Sequence, residues 1–577
     1  MSKWLYLFLV IFVVNLCAAP LSLVDEAYDD LALTEEDFPR LPDEDVPGSP
    51  YRREMPRVHG VVLAGDERGL VPRWQTGKLQ GITLVDVNVP DGKYELDRVL
   101  KPIYYGNPLS MQMVERLKRT IIAYFKERGY PFVIVQVPEQ DASEGVVQLV
   151  VLQGRLGRVL VEGNRWTPTS YLSNAVDLPR GHLISEDDLA YDLYYLNRNP
   201  FRQVNVVYAP GEEPGDVDVI LSTRDRRSTR LYVGTENTGT ETTGQYRVYT
   251  GFNWGNAFGL GHVLSYQYTS DYDFHDFQAH TVQYLAPLSW KHLLNIYGGY
   301  STVNADLDLP TKNEEGFSLQ ASLRYSVPYR ISRFYNNDFV LGFDFKRTNN
   351  TFDLTSNEVD AVKGAPVNLT QLVMGLSGDV QKPMYRFDYS LMALGSPLHW
   401  VADQSNDSYQ TIRPDAKNQW IYLRTSLALL KRFDNAVSIW TRFQGQVSSE
   451  VLLPSEQFGL GGYDTVRGYE ERELNKDNAV LVNFEVRSPP KSLFKKQRDA
   501  LQALLFVDYG WGHNWTRIVP ENLSEDLNNW IMGVGPGIRY TYEPYFTGYL
   551  DWGIKLHHLA LVSHQFGRVH FGVTLSY

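Results

Sequence analysis

The stretch Phe339–Lys346, "FVLGFDFK", alternates large apolar side chains with small or charged ones. Successive side chains of a β-strand point to opposite faces. One face of this stretch is therefore wholly apolar, formed by Phe339, Leu341, Phe343 and Phe345, and the other carries Val340, Gly342, Asp344 and Lys346. Alternation of this kind over about ten residues is typical of a strand that separates lipid from a polar barrel interior.

The same alternation recurs throughout residues 228–577. Segments of this kind begin near residues 229, 245, 261, 277, 292, 316, 338, 369, 385, 418, 437, 479, 500, 531, 548 and 566. Lipid cannot satisfy the backbone groups of an open strand edge, so such a sheet has to close. We therefore predict a transmembrane β-barrel of about 16 antiparallel strands, an even number as in bacterial single-chain barrels. A soluble β-sandwich or propeller is the alternative for any single hairpin.

Residues 1–19 have the layout of a secretory signal peptide. Met1–Lys3 carries the positive charge, Trp4–Val14 is apolar, and Leu16–Ala19 offers small residues for cleavage. A membrane anchor is disfavoured because the apolar run is short. Cleavage would remove Cys17, the only cysteine, so the mature chain would depend on burial and hydrogen bonds for stability. The signal peptide also favours the barrel over a soluble β-protein.

Residues 20–78 are acidic and rich in proline, and we expect a flexible leader there. A short helix over residues 25–38 is the alternative. The formal net charge of the whole chain is −13, which disfavours nucleic acid as a partner because phosphate binding needs a basic face. The sequence has no GxxxxGK[ST] phosphate-binding loop, no HExxH zinc spacing and no GxSxG elbow, so we expect no nucleotide, no metal, no cofactor and no catalytic site.

Two similar units lie between the leader and the barrel. Residues 79–154 and 155–225 each predict the order β-α-α-β-β. In the first unit Ser110 can cap a helix that stops at Gly129, and in the second Ser185 opens a helix lined by Leu189, Leu193 and Leu196. Tandem units of one supersecondary type indicate two small α+β domains.

The loop predicted over residues 448–478 holds the sequence "GGYDTVRGY", Gly461–Tyr469. A strand farther along carries Phe506, Asp508 and Gly510 on one face. If that face is the lumen, Asp508 could meet Arg467 where the loop folds inward. A guanidinium and a carboxylate can then form a two-bond fork that lysine could not reproduce.

These residues carry a family resemblance. Val466, Arg467, Gly468 and Tyr469 resemble the loop motif of outer-membrane transporters that join POTRA domains to a β-barrel, and Phe506, Asp508 and Gly510 resemble its partner strand motif. Two POTRA-like units match the two-partner secretion branch, the haemolysin activation/secretion family. The segment Leu193–Leu221 is especially similar to that branch's second POTRA domain. The acidic leader is a departure, and residues 25–38 are the one candidate there for the family's pore-plugging helix.

The resemblance implies a function and its partners. The POTRA domains would capture a secreted exoprotein, unfolded in the periplasm, by adding a strand to a sheet edge. The exoprotein would cross a barrel that sits in outer-membrane lipid, and the barrel assembly machinery would insert that barrel. Arg467 and Asp508 would hold the loop in the barrel, control passage, or do both. The alternatives are a barrel assembly factor, which shares the loop motif, and a passive porin, which would not need POTRA domains.

The C-terminus resembles the insertion signal of outer-membrane barrels. The pattern places His570, Gly572 and Leu575 before a terminal aromatic residue, Tyr577. Phenylalanine is the usual last residue, so Tyr577 departs from the family pattern. A plain alternating strand would explain the same residues without any signal.

Overall fold

The computed structural model describes residues 56–577 except 214, 241–242, 306–313, 333, 350–365, 398, 495–497, 517–526 and 560–564. The chain forms two compact units. One unit contains Arg198–Phe201 and Arg226–Tyr577, and the other contains the described residues up to Asn197 together with Arg202–Asp225. In the described part of the chain, every helix is too short or too polar to cross a membrane. The predicted signal peptide and the candidate helix at 25–38 lie outside the described residues.

The first sheet of the smaller unit has the strand order β2-β1-β4-β3. Its strands are β1 (Gly60–Ala64), β2 (Gly81–Val85), β3 (Val133–Gln136) and β4 (Val146–Gln153). Three helices accompany them, α1 (Arg73–Thr76), α2 (Gly92–Tyr104) and α3 (Met111–Glu127). The Ser110 side chain accepts a hydrogen bond from the Met113 N–H, which caps α3. Apolar residues of both longer helices pack on the sheet, so this half has its own core.

The second sheet of this unit has the order β5-β7-β6. It consists of β5 (Arg155–Glu162), β6 (Arg202–Pro210) and β7 (Asp216–Asp225), with helices α4 (Thr169–Ser173) and α5 (Glu186–Leu196). Leu189 and Leu196 are buried in a separate core with Val204 and Val219. Two cores on two sheets agree with two small α+β domains.

The leader predicted over residues 20–78 extends too far along the chain. All five residues of β1 are buried, and β1 pairs in parallel with both β2 and β4. A strand in the middle of a sheet belongs to the folded domain, so order begins before residue 79. "GVVLA" is a short apolar run without alternation, and periodicity alone does not identify such a strand.

The larger unit is a closed barrel. Its strands are β8 (Thr229–Glu236), β9 (Arg247–Ala257), β10 (His262–Asp271), β11 (Phe277–Pro287), β12 (Leu293–Ala305), β13 (Glu314–Ile331), β14 (Tyr335–Thr348), β15 (Val367–Lys382), β16 (Tyr385–Ser396), β17 (Trp420–Arg432), β18 (Ser438–Ser448), β21 (Asn478–Arg487), β22 (Asp499–His513), β23 (Asn528–Tyr542), β24 (Phe546–Lys555) and β25 (Gly567–Ser576). Neighbours pair antiparallel, and β25 returns to β8. The predicted 16-stranded barrel is confirmed, and each predicted start lies close to the observed one.

The side-chain alternation assigns the two faces of the wall. On β14, Leu341 and Phe343 are exposed, whereas Val340 and Asp344 are buried on the opposite face. The exposed apolar face is the one that lipid covers, and the buried polar face is the lumen.

Two short strands, β19 (Phe458–Leu460) and β20 (Leu474–Lys476), pair with each other outside the barrel sheet. They lie within the connection between β18 and β21, which we call the inner loop (residues 449–477).

Candidate functional site: a loop held inside the barrel

The tip of the inner loop is buried. Val466 and Tyr469 have no exposed surface, and Arg467 is 3% exposed. They pack with Leu460, Leu481 and other apolar residues of the loop and the barrel wall. A loop that lay outside the barrel could not bury these side chains, so its tip occupies the lumen.

Arg467 and Asp508 meet in the lumen. The Nε and Nη2 atoms of Arg467 donate to the two carboxylate oxygens of Asp508 at 2.7 and 2.9 Å. The Arg467 backbone N–H adds a third bond to the same carboxylate at 3.1 Å. Asp508 lies on β22 and is fully buried. The two-bond fork fixes the guanidinium in orientation as well as position, which a point charge would not do.

Arg467 also contacts two carboxylates that the sequence did not point to. Its Nη1 donates to Glu485 on β21 at 2.7 Å and to Asp551 on β24 at 3.0 Å. Arg487 pairs with Glu485, and Arg539 pairs with Asp551, so the extra negative charges are balanced. The guanidinium carbon lies 3.6 Å from the centre of the Phe506 ring, a cation–π contact. A single loop residue is thereby bonded to three strands of the wall.

The backbone on the N-terminal side of Arg467 is held by side chains of the wall. Asn483 donates to the Thr465 carbonyl at 2.6 Å and to Asp508 at 2.7 Å. Arg442 donates to the Asp464 carbonyl and to Asn483. These bonds satisfy loop carbonyls that are shielded from water, where an unpaired group is costly.

The backbone after Arg467 is held from the other side of the lumen. The Gly468 N–H donates to the Nε2 atom of His570 on β25 at 3.0 Å. Gly468 has φ of +97° and lies against the Gly553 backbone, so a side chain at this position would be strained and would clash. His570 was noticed in the sequence as part of the C-terminal pattern, but its contact with the loop was not predicted.

Two aromatic side chains of the loop complete the packing. The Tyr469 hydroxyl lies 2.5 Å from the His557 carbonyl and 3.1 Å from that of Met532. The Tyr463 ring stacks on Tyr549 of β24, with centroids 4.1 Å apart. At Gly510 a Cβ would lie 3.0 Å from Val466 and from Leu460, so the absence of a side chain there leaves room for the loop.

A second ionic contact holds the base of the inner loop. Arg413 forms two bonds with Asp477, at 2.5 and 2.8 Å, and both side chains are buried. Arg413 belongs to the connection between β16 and β17, residues 397–419, which includes helix α6 (Asn406–Gln410). Arg413 also donates to the Leu452 carbonyl of the inner loop at 2.5 Å. We call residues 397–419 the cap, because they pack with residues 451–453 of the inner loop over a shared apolar cluster.

The base has further support from the barrel wall. Lys346 of β14 donates to Glu456 of the inner loop at 2.6 Å, and the Tyr422 hydroxyl of β17 donates to the same carboxylate at 3.0 Å. The sequence left the cap as a plain connection, because a pairing between two loops leaves no periodic signal. Asp551 was missed as well, although its place on the lumen face of a recognisable strand is a signal that could have marked it.

Within the C-terminal pattern, His570 contacts the inner loop, whereas Gly572, Leu575 and Tyr577 lie at the barrel wall. Leu575 and Tyr577 are exposed on the lipid face, at 52% and 74%. Gly572 pairs with Glu236 across the junction of β25 and β8. The exposed aromatic end is compatible with an insertion signal, which stays a prediction.

Models of two known families match this chain. The model of the haemolysin secretion/activation family ShlB/FhaC/HecB matches residues 215–540, and that of the ShlB-type POTRA domain matches residues 78–154.

Relatives of known function align along most of the chain. The haem/haemopexin transporter HuxB of Haemophilus influenzae (strain 86-028NP) is 21% identical, over 78% of this chain and 78% of its own. The outer-membrane transporter CdiB-2 of Burkholderia pseudomallei (strain 1026b) is 23% identical, over 77% and 74%.

Two solved structures share the fold. CdiB from Escherichia coli aligns with a TM-score of 0.74 at 19% identity, covering 92% of this chain and 93% of its own. CdiB from Acinetobacter baumannii aligns with a TM-score of 0.65 at 17% identity, covering 93% of each.

Proposed function

The chain belongs to the haemolysin secretion/activation family, and from that premise we propose that it secretes one partner exoprotein across the outer membrane. Its relatives are named as a haem/haemopexin transporter, an outer-membrane transporter and a haemolysin transporter. The observation that carries the proposal is a closed barrel whose lumen holds a folded loop. Two small α+β domains, each with its own sheet, precede this barrel in the sequence.

Capture of the exoprotein is assigned to the two sheets of the smaller unit. Their outermost strands are β2 and β3 in the first sheet and β5 and β6 in the second. An unfolded segment can add to such an edge through backbone hydrogen bonds, which do not require one particular sequence. The cargo is therefore expected to be extended at this stage and to fold after it has left the cell.

Passage through the barrel requires the inner loop to yield space. The contact of Arg467 with Asp508 is proposed to set the inward position of the loop. A contact that only stabilises the barrel would have the same geometry. The structural role and the control of passage differ in how much exoprotein is secreted when the contact is weakened. Secretion should change at constant barrel content if the position of the loop controls passage.

Deletion of the protein tests the proposed function. We expect one exoprotein to disappear from the medium and to accumulate in the periplasm, while the other outer-membrane barrels stay at their normal amounts. Quantitative proteomics of medium, periplasm and outer membrane measures all three. A general loss of outer-membrane barrels would instead identify an assembly factor, and unchanged amounts of both the secreted proteins and the outer-membrane barrels would contradict both functions.

A further inference from the structure

The two ends of the barrel carry opposite charge. At the turn end, where the short connections lie, the exposed charged residues of the described chain are Arg226, Arg227, Arg330, Lys382, Lys431, Lys491 and Arg498, with Asp434 as the exposed acid. At the loop end, the described exposed charges are Asp273, Asp403, Asp407 and Asp415, with Arg347 and Lys417. The turn end is thus basic although the whole chain has a formal net charge of −13.

Two of these cations point outward rather than into the lumen. Lys382 has the same strand parity as the exposed residues Met374 and Leu376 of β15. Lys431 has the same parity as Leu427 and Leu429 on β17. Both lysines therefore leave the wall on the side that lipid covers, at the end of the apolar band.

Aromatic rings lie beside the outward cations. The Lys382 Nζ is 5.9 Å from the centre of the Phe334 ring and 5.8 Å from that of Tyr385. The Lys431 Nζ is 5.3 Å from the Phe433 ring centre. An aromatic ring at headgroup depth and a long cationic side chain that reaches into the headgroups are the usual anchors at a bilayer interface.

We propose that the turn end of the barrel binds anionic phospholipid headgroups of the leaflet that faces the periplasm. The POTRA domains of this family are periplasmic, and β8 begins directly after the end of β7, so the turn end faces the same compartment. A phosphate headgroup satisfies the outward cations, whereas a zwitterionic headgroup adds a competing positive charge. This inference does not depend on which exoprotein is secreted.

Lipid selectivity in the full-length purified protein tests the proposal. The protein in a neutral detergent is offered phosphatidylglycerol, phosphatidylcholine or inorganic phosphate, and bound lipid is counted by native mass spectrometry. We expect phosphatidylglycerol to be retained and phosphatidylcholine to be lost, with retention weakened by high salt, which screens exposed charges. Equal retention of the two lipids, or displacement of phosphatidylglycerol by millimolar inorganic phosphate, would overturn the proposal.

Matched variants locate the effect. The double variant K382Q/K431Q should bind phosphatidylglycerol about 25-fold more weakly, since each cation near an anionic surface contributes about fivefold. K382R/K431R keeps the charges and should bind as the unaltered protein does, and K417Q removes an exposed lysine from the loop end and should have no effect. Unchanged binding in K382Q/K431Q would refute the site.

The acidic segment 25–45 of the same chain has a charge that would also suit the basic end, so the test has to separate it from lipid. A variant lacking residues 25–45 distinguishes it from lipid. Equal retention of phosphatidylglycerol with and without the segment supports binding of lipid at the turn end. Retention that appears only after the segment is removed would show that the segment covers these cations, and would overturn the proposal.

Discussion

Two buried arginines hold the inner loop by different means. Arg467, at the tip, is bonded to carboxylates on three strands of the barrel wall, Glu485, Asp508 and Asp551. Arg413 binds the base from another connection, the cap, through Asp477. The tip is therefore tied to the barrel sheet, whereas the base is tied both to the sheet, through Lys346 and Tyr422, and to the cap. We therefore expect the contact of the cap with the base to break without displacing the tip, so that a passage opens in two independent steps.

Substitution of Arg467 should have the largest effect. Arg467→Ala leaves Asp508 buried without its partner, and breaking a buried pair typically costs about 3–5 kcal/mol. We expect the barrel to unfold at lower denaturant and the tip to leave the lumen. Thr465 is 6% exposed. In a Thr465→Cys background, the reaction rate of the cysteine with maleimide measures how far the tip has left the lumen.

The one native cysteine, Cys17, lies in the predicted signal peptide, so protein produced without residues 1–19 carries no other thiol that reacts with maleimide. Arg467→Lys is the matched control, because it keeps the charge but cannot form the fork. It should give a labelling rate between those of the unaltered protein and Arg467→Ala. Labelling of the cysteine at Thr465 that stays slow in Arg467→Ala would show that the tip does not depend on Arg467.

Substitution of Arg413 should have a smaller and more local effect. Asp477 would keep hydrogen bonds from the Leu452 and Trp515 backbone, so we expect a loss near the lower end of the range, about 3 kcal/mol. A cysteine at Leu453, which is 1% exposed, should become reactive in Arg413→Ala, while a cysteine at Thr465 stays protected. If both cysteines became reactive together, the base and the tip would move as one unit, and the two-step passage would be wrong.

Substitution of His570 should have the smallest effect of the three. His570→Ala leaves the buried Gly468 N–H without an acceptor, which costs about 1–3 kcal/mol. His570→Gln supplies a carbonyl oxygen near the same place and should recover most of the loss in unfolding free energy. Equal losses in the two variants would indicate that the ring acts by packing alone.

The barrel could be predicted from the sequence because each strand carries its own signal. The alternation of a strand is visible in neighbouring residues alone. The starts of β8 and β11 could therefore be placed correctly from the local pattern. The fork between Arg467 and Asp508 was predicted from a motif resemblance joined to strand parity, and the structure brings the two residues together. Whether that contact controls passage stays a proposal.

The parts that could not be predicted depend on contacts between distant segments. Arg413 and Asp477 lie in two connections without periodicity, and their pairing follows from the packing of the cap on the inner loop. Asp551 is recognisable as a lumen residue, but its bond to Arg467 depends on where the tip lies across the barrel. The strand β1 was missed because a short buried run shows no alternation.

We propose that direct contact between Arg467 and Asp508 holds the loop tip in the lumen. A double-mutant cycle tests it most directly, with the unfolding free energy measured for Arg467→Ala, Asp508→Ala and the double variant in one detergent. We expect the double variant to lose less stability than the sum of the single variants, with a coupling energy of about 1–3 kcal/mol. Additive losses would contradict direct contact and, with it, the proposed position of the loop.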